Sequence, residues 1–171
     1  MIWTTSDQHF NHKNILKYEP ISRPFETIEE MNQAMIDRWN SVVTEEDIVF
    51  HCGDFFMGTY DTIDEILPQL NGEIYLILGN HDIKNRIEKY KRYGVHIIPS
   101  NIFWNYNGVF FSFSHELPED RDADIIYCYG HVHHNAPAGL VDNTYHVGVD
   151  TNNLTPVSIE KIWSAAMGFD K

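Results

Sequence analysis

Cysteine is scarce in this chain: Cys52 and Cys128 are the only two among 171 residues. Two thiols cannot form a disulfide framework, and each lies in a strand-like apolar run. A pair of buried, reduced thiols is the expectation. Basic residues are also few. Twelve Lys and Arg stand against 25 Asp and Glu, for a net charge of −13. A surface this acidic repels polyanions at long range, which excludes a role in coating DNA or RNA. No apolar run approaches the ~18 residues of a membrane span. The opening "MIWTTSDQHF" has no basic segment followed by an apolar one, so no signal peptide is expected and a cytoplasmic location is. Internal repeats, low-complexity segments and linkers are missing too, so residues 1–171 are read as a single domain.

Apolar residues make up 43% of the chain and charged ones 22%, enough for a sizeable core. Helix-like and strand-like segments alternate. In "TIEEMNQAMIDRWNSVV", Ile28, Met31, Met35, Trp39 and Val42 recur on one helical face, and Thr27 with Glu30 reads as a capping box. "TIDEILPQL" predicts a shorter helix with Thr62 and Glu65 as a similar box. "DIKNRIEKYKRYG" and "SIEKIWSAAMG" predict two more. The strand candidates are "MIWTT", "DIVF", "EIYLIL", "VHII", "NIFWNY", "VFFSFS", "DIIYCY" and "TYHVGV". Asn107-Gly108 marks a hairpin between two of them. The order predicts an α/β fold with parallel units first and an antiparallel part afterwards.

Five of these strands run into polar residues of one chemical type. "MIWTTS" meets Asp7 and His9, and "DIVFHC" meets Gly53-Asp54. "EIYLIL" meets Gly79-Asn80-His81-Asp82, "VFFSFS" meets His115, and "DIIYCY" meets Gly130-His131-Val132-His133. Ligands of α/β sheets bind outside the carboxyl ends of strands. These groups, far apart in sequence, are therefore expected at one edge. Asp and His suit divalent ions such as Zn²⁺, Mn²⁺ and Fe²⁺. Asp7, His9, Asp54, Asn80, His115, His131 and His133 exceed the needs of one ion and could hold two if Asp54 bridges them. Two ions about 3.5–4 Å apart suit in-line phosphoryl displacement. Each motif alone is weak, since Asp-x-His and Gly-Asp are common in caps and turns; their joint placement is specific.

The set resembles the calcineurin-like metallophosphoesterase superfamily, whose motifs D-x-H, G-D, G-N-H-[DE], a lone H and G-H-x-H occur here in that order, from Asp7 to His133. "NHKNI", "RPF" and "VGVDTNNLTPVS" are similar to a small, uncapped bacterial or phage branch. The resemblance implies a two-sheet β-sandwich of mixed sheets flanked by helices. It implies that Asp7, His9, Asp54 and His133 hold one metal and Asp54, Asn80, His115 and His131 the other. A water or hydroxide shared by the ions would attack phosphorus. Manganese is the expected metal, with iron, zinc or nickel as alternatives. His81, the motif histidine not assigned to metal, would contact substrate or protonate the leaving group, with Asp82 orienting and charging it.

His12 and Arg23 are candidate substrate contacts, and His134 a candidate for the cleft wall. His51 is expected to pack or support a ligand, and Asp150 ends a strand-like run without an assigned role. The chain is read as a phosphodiesterase acting on a small phosphate ester, a nucleotide among the candidates. The alternatives are a phosphomonoesterase, including one acting on phosphoproteins, and a non-catalytic protein-binding scaffold on the same fold. A single-iron oxygenase would leave Asn80, His115 and the second Gly-His without a purpose.

Overall fold

Val49 and Phe50 are neighbours on one strand and face opposite ways, as the two-residue repeat of a strand requires. Val49 joins a core of helix residues, and Phe50 joins a second core shared with another sheet. A strand buried on both faces belongs to a central sheet, and the computed structural model, which describes residues 1–169, shows that sheet.

The elements follow in chain order as β1 (Ile2–Thr5), α1 (Ile15–Tyr18), α2 (Ile28–Asn40), β2 (Ile48–His51), α3 (Asp61–Ile66), β3 (Glu73–Ile77), α4 (Lys84–Arg92), β4 (His96–Ile98), β5 (Asn101–Tyr106), β6 (Val109–Ser114), β7 (Ile125–Tyr129), β8 (Leu140–Val141), β9 (Thr144–His146), β10 (Val157–Ser158) and α5 (Ile159–Ala166). The first sheet runs β10-β1-β2-β3-β4, with β1 to β4 parallel and β10 antiparallel at the edge. The second runs β5-β6-β7-β9-β8.

One core lies between the first sheet and the helices. Ile28, Met31, Met35 and Trp39 of α2, Ile63 and Ile66 of α3 and Tyr90 of α4 pack there with Val49, Ile74 and Leu76. The other lies between the sheets, where Phe50 and Ile77 meet Phe111, Phe113, Ile126 and Cys128, with Ile159 and Ile162 of α5. Both cysteines are free and buried, as expected. Burial pushes the Cys52 thiol up to about 12, so it stays protonated. No helix among the described residues is long and apolar enough to cross a membrane.

The second sheet departs from the antiparallel expectation. Only its outer pairs, β5–β6 and β8–β9, are antiparallel; β6, β7 and β9 run parallel. Residues 115–124 and 130–143 are long enough to carry the chain back across the sheet between them. This places the ends of β6 and β7 on one edge, where antiparallel neighbours would have put them at opposite edges.

Three smaller expectations shift. The α2 capping box forms, with the Glu30 amide donating to Thr27 Oγ1 and the Thr27 amide to Glu30 Oε2. The Thr62 box does not: α3 starts at Asp61, and Thr62 Oγ1 accepts from Asn11 Nδ2 at 2.7 Å. Pro68 sits in a short 3₁₀ turn, Leu67–Gln69, that ends the α-helix at Ile66. The strand "TYHVGV" stops at His146, because Gly148 bridges in parallel to Ser6, just past the end of β1, and Val149 donates to the Ser6 carbonyl.

Candidate metal centre

The loops after β1 and β2 run side by side. The Asp7 amide donates to the Gly53 carbonyl, His9 to Asp54, and Phe10 to Phe55, each at 3.0–3.1 Å. This ladder turns Asp7, His9 and Asp54 inward and leaves them no more than 2% exposed. Five of the seven candidate ligands have a left-handed backbone: Asp7 (φ 61°), His9 (48°), Asp54 (57°), His131 (72°) and His133 (50°). That conformation costs non-glycine residues energy and clusters at functional sites.

The gathered side chains form two linked groups. Ligand atoms of Asp7, His9 and His133 lie within 4.8 Å of one another, and so do those of Asp7, Asp54 and His115. Asp54 Oδ2 is 3.5 Å from His9 Nε2 and 3.5 Å from His115 Nε2, so a single oxygen faces both groups. Asn80 Oδ1 lies 2.8 Å from His115 Nε2 and 3.1 Å from His131 Nδ1. All seven candidates therefore converge.

The polar bookkeeping fits a cation. Asp7 Oδ1 and both ring nitrogens of His9 are buried without a hydrogen-bond partner, which is rare for buried polar atoms. Burial raises the Asp7 carboxyl and lowers the His9 imidazole, so among protein atoms alone each charged form is less favoured than in water. A divalent ion offsets that cost for the carboxyl and accepts a neutral imidazole.

Surrounding groups aim the ligands. His115 Nδ1 donates to the Cys52 carbonyl at 2.8 Å, which turns Nε2 toward Asn80 and Asp54. The His131 amide donates to Asp7 Oδ2 at 2.9 Å, and the His81 amide to Asp54 Oδ1 at 2.8 Å. Gly79 has a specific reason to lack a side chain: a Cβ there would lie 2.3 Å from Asp54 Oδ1. The need is room for that carboxylate, not freedom for the turn.

Two assignments made from sequence look different in three dimensions. The Arg23 side chain has no exposed surface. Its Nε and Nη2 grip Asp150 at 2.7 and 2.9 Å, and Nη1 and Nη2 donate to the Gln8 and Asp7 carbonyls at 2.7 and 2.6 Å. It braces the first ligand loop and offers no face to a substrate. Asp82 is not aimed at the His81 ring. Its carboxylate accepts from the amides of Asp54 (2.8 Å), Gly79 (3.0 Å) and Phe55 (3.3 Å), tying the β2 and β3 loops together.

His81 itself is exposed at the rim, its ring centroid 5.5 Å from that of His9. His12 sits on the same histidine at 5.6 Å, half-buried. Burial, followed by the nearby His81, lowers the His12 imidazole. His134 is bound to Glu19 at 2.7 Å. His51 packs on Phe55 and accepts from the Gly53 amide at 3.1 Å, and burial lowers it to about 3.

Sequence reasoning left two contributors unassigned. Asp150 accepts from His133 Nδ1 at 2.8 Å and stands between that ligand and Arg23. Burial opposes its ionisation, but Arg23 and His133 outweigh it and hold the carboxyl well below the usual range. Burial would likewise lower His133, but Asp150 and Asp7 overcome it and raise the imidazole. Arg86 donates to the His81 carbonyl at 3.0 Å and to Gly58 at 3.2 Å. Its signal was the four-residue spacing of Arg86 and Tyr90, which places both on one side of α4, just after Asp82.

Two mixed sheets with buried aspartates and histidines gathered at their carboxyl edge define a class of α/β protein fit to bind metal. The chain matches the calcineurin-like phosphoesterase family over residues 1–168 and belongs to it. It is 34% identical over 172 residues to the uncharacterized protein MJ1445 of Methanocaldococcus jannaschii, covering 94% of this chain and 88% of that one. It is 32% identical over 83 residues to the Gene 66 protein of Mycobacterium phage L5, covering 47% of this chain and 39% of that one. The crystal structure of AQ665, a protein of unknown function from Aquifex aeolicus, has the same fold, with a TM-score of 0.79 at 24% identity over 96% of this chain and 98% of that one.

Proposed function

We propose that the chain is a two-metal phosphoesterase that acts by preference on phosphodiesters. Asp7, His9, Asp54 and His133 hold one ion; Asp54, Asn80, His115 and His131 hold the other, manganese being the preferred metal. The observation that carries this reading is Asp54 Oδ2, equidistant from a ring nitrogen of each group. Asp7 also belongs to both groups, but its Oδ2 is taken by the His131 amide and its Oδ1 is 3.9 Å from His9 Nε2. Asp54 is therefore the better bridge.

Two such ions, when bound, offset phosphoryl charge and acidify a shared water. The protein supplies the rest. The buried ligand loops hold the donors in place before substrate arrives. His81, exposed beside the cluster, would donate a proton to a phosphoryl or leaving oxygen, and the hydrogen bond from its backbone N–H to Asp54 Oδ1 holds it beside the cluster. The candidate ligands Asn80 and His131 are exposed. An open rim of this kind admits the second ester group of a diester more readily than an enclosed pocket does.

The test pairs metal analysis with two chromogenic esters. The purified protein should hold near two ions and, with Mn²⁺, hydrolyse bis(p-nitrophenyl) phosphate at least as fast as p-nitrophenyl phosphate. Asp54→Ala should hold at most one ion and lose activity. Two tightly held ions in that variant would remove Asp54 as the bridge, and a tenfold monoester preference would make the protein a phosphatase.

A further inference from the structure

Beside the His133 end of the cluster lies a cavity of about 690 Å³ lined by none of the seven candidate ligands. That is the size of sites that enclose small organic ligands. It is continuous with the cluster's surroundings. Glu19 and Asp150 line it, and one oxygen of each lies within 4.8 Å of a His133 ring nitrogen. Tyr18, on the lining, has its ring centroid 6.0 Å from that of His12, which in turn lies tilted against His9 at 5.6 Å.

The chemistry of the lining selects a ligand. Its acidic groups are already engaged: Asp150 by Arg23 and His133, Glu19 by His134 and Ser22. Arg38 Nη1 is bonded to the Asn153 carbonyl at 2.8 Å. The lining is therefore not built as a second phosphate site. Beside these engaged polar groups and Asn153, the lining offers an apolar part: Tyr18, Ile21, Phe25 and Leu154, with two prolines. Tyr18 is 61% exposed and Ile21 94%. One exposed apolar side chain is ordinary. Two around one cavity, with the half-buried Phe25 on the same lining and next to a cluster that would hold phosphate, are surface suited to a flat apolar group, for which a tyrosine face is a good partner.

We propose that this cavity binds one ester substituent of the substrate, and that the substituent is an uncharged planar ring, aryl or nucleobase. The proposal rests on the phosphoesterase reading only in placing the phosphate at the cluster. Calorimetry on the intact protein with Mn²⁺ present would compare methyl phosphate, phenyl phosphate and thymidine 5′-monophosphate. Phenyl phosphate or the thymidine ester should bind about tenfold tighter than methyl phosphate, the affinity equivalent of one stacking contact. Tyr18→Ala and Ile21→Ser, both at exposed positions, should erase that difference and leave methyl phosphate binding unchanged. Tighter binding of thymidine 5′-monophosphate than of phenyl phosphate would identify the ring as a nucleobase; the reverse order would identify it as an aryl group. Equal affinity for all three, no binding of either ring compound, or a preference that survives both substitutions would overturn the proposal. Ring-dependent binding without hydrolysis of any ester would leave the cavity assigned and sink the enzymatic reading instead.

Discussion

His81 is the residue whose role is most open to measurement, because it borders the cluster without completing it. If it serves as proton donor, His81→Ala should keep its metal and lose kcat by roughly 10²–10⁴-fold on an alkyl ester. The loss should be smaller with p-nitrophenolate, which leaves without a proton. Equal losses on both esters, or loss of an ion, would assign His81 elsewhere. Asp150 is measurable in a different way. Asp150→Asn leaves the Arg23 guanidinium buried beside a neutral amide and deprives His133 of its anionic acceptor. Metal affinity should fall by about 10–100-fold, the usual cost of losing a partner behind a ligand. The melting temperature should fall as well, since a broken buried ion pair costs about 3–5 kcal/mol. A Mn²⁺ titration followed by a melt separates the two, and a lower melt with unchanged affinity would make Asp150 purely structural.

At the scale of elements, the site depends on loops that touch because certain side chains are missing. Gly79 follows β3 and Asp54 follows β2, and a methyl group on Gly79 would overlap both the Asp54 amide and its carboxylate. Gly79→Ala should therefore displace Asp54 while the strands, paired upstream at Ile48–His51 and Glu73–Leu76, remain in register. The expected result is a circular dichroism spectrum like that of the wild type, with the second ion lost or weakened. A fully metallated Gly79→Ala protein would show that the loop can yield. The Asp82 carboxylate reinforces the same joint by accepting from both loops.

Outside the candidate ligands, the molecule carries two buried histidines with lowered pKa, His51 and His146, and both make stability depend on pH. Burial lowers His51 to about 3 and His146 to about 4. Each stays neutral when folded and takes up a proton near its ordinary value of about 6.5 when unfolded. The unfolded state then binds more protons, so stability is full above about pH 6.5 and falls as pH drops toward 4. Each histidine can add up to about 1.4 kcal/mol per pH unit to that slope. His51→Asn keeps an acceptor for the Gly53 amide but does not titrate. Urea unfolding of the metal-free proteins between pH 7 and 4.5 should show a shallower slope for the variant. Parallel slopes would mean that His51 is solvated or protonated when folded.

Local order spoke plainly in the sequence. The α2 face, its capping box, the Asn107-Gly108 hairpin and the five polar strand ends all rest on spacings within a few residues, where backbone geometry alone sets which side chains share a face. The motif order also carried the family. What neighbours in space decide was not legible. Nothing in "VFFSFS" or "DIIYCY" states that β6 and β7 run parallel, yet that direction brings His115 and His131 to one edge. Arg23 and Asp82 read as substrate and proton-relay groups because arginines and carboxylates beside a motif often are. Their actual partners lie far along the chain: Asp150, 127 positions away, is brought in by the tertiary fold, and the Asp54 amide, 28 away, by the pairing of β2 with β3. A charged side chain acts through what it touches, and for these residues the contacts are made by tertiary structure.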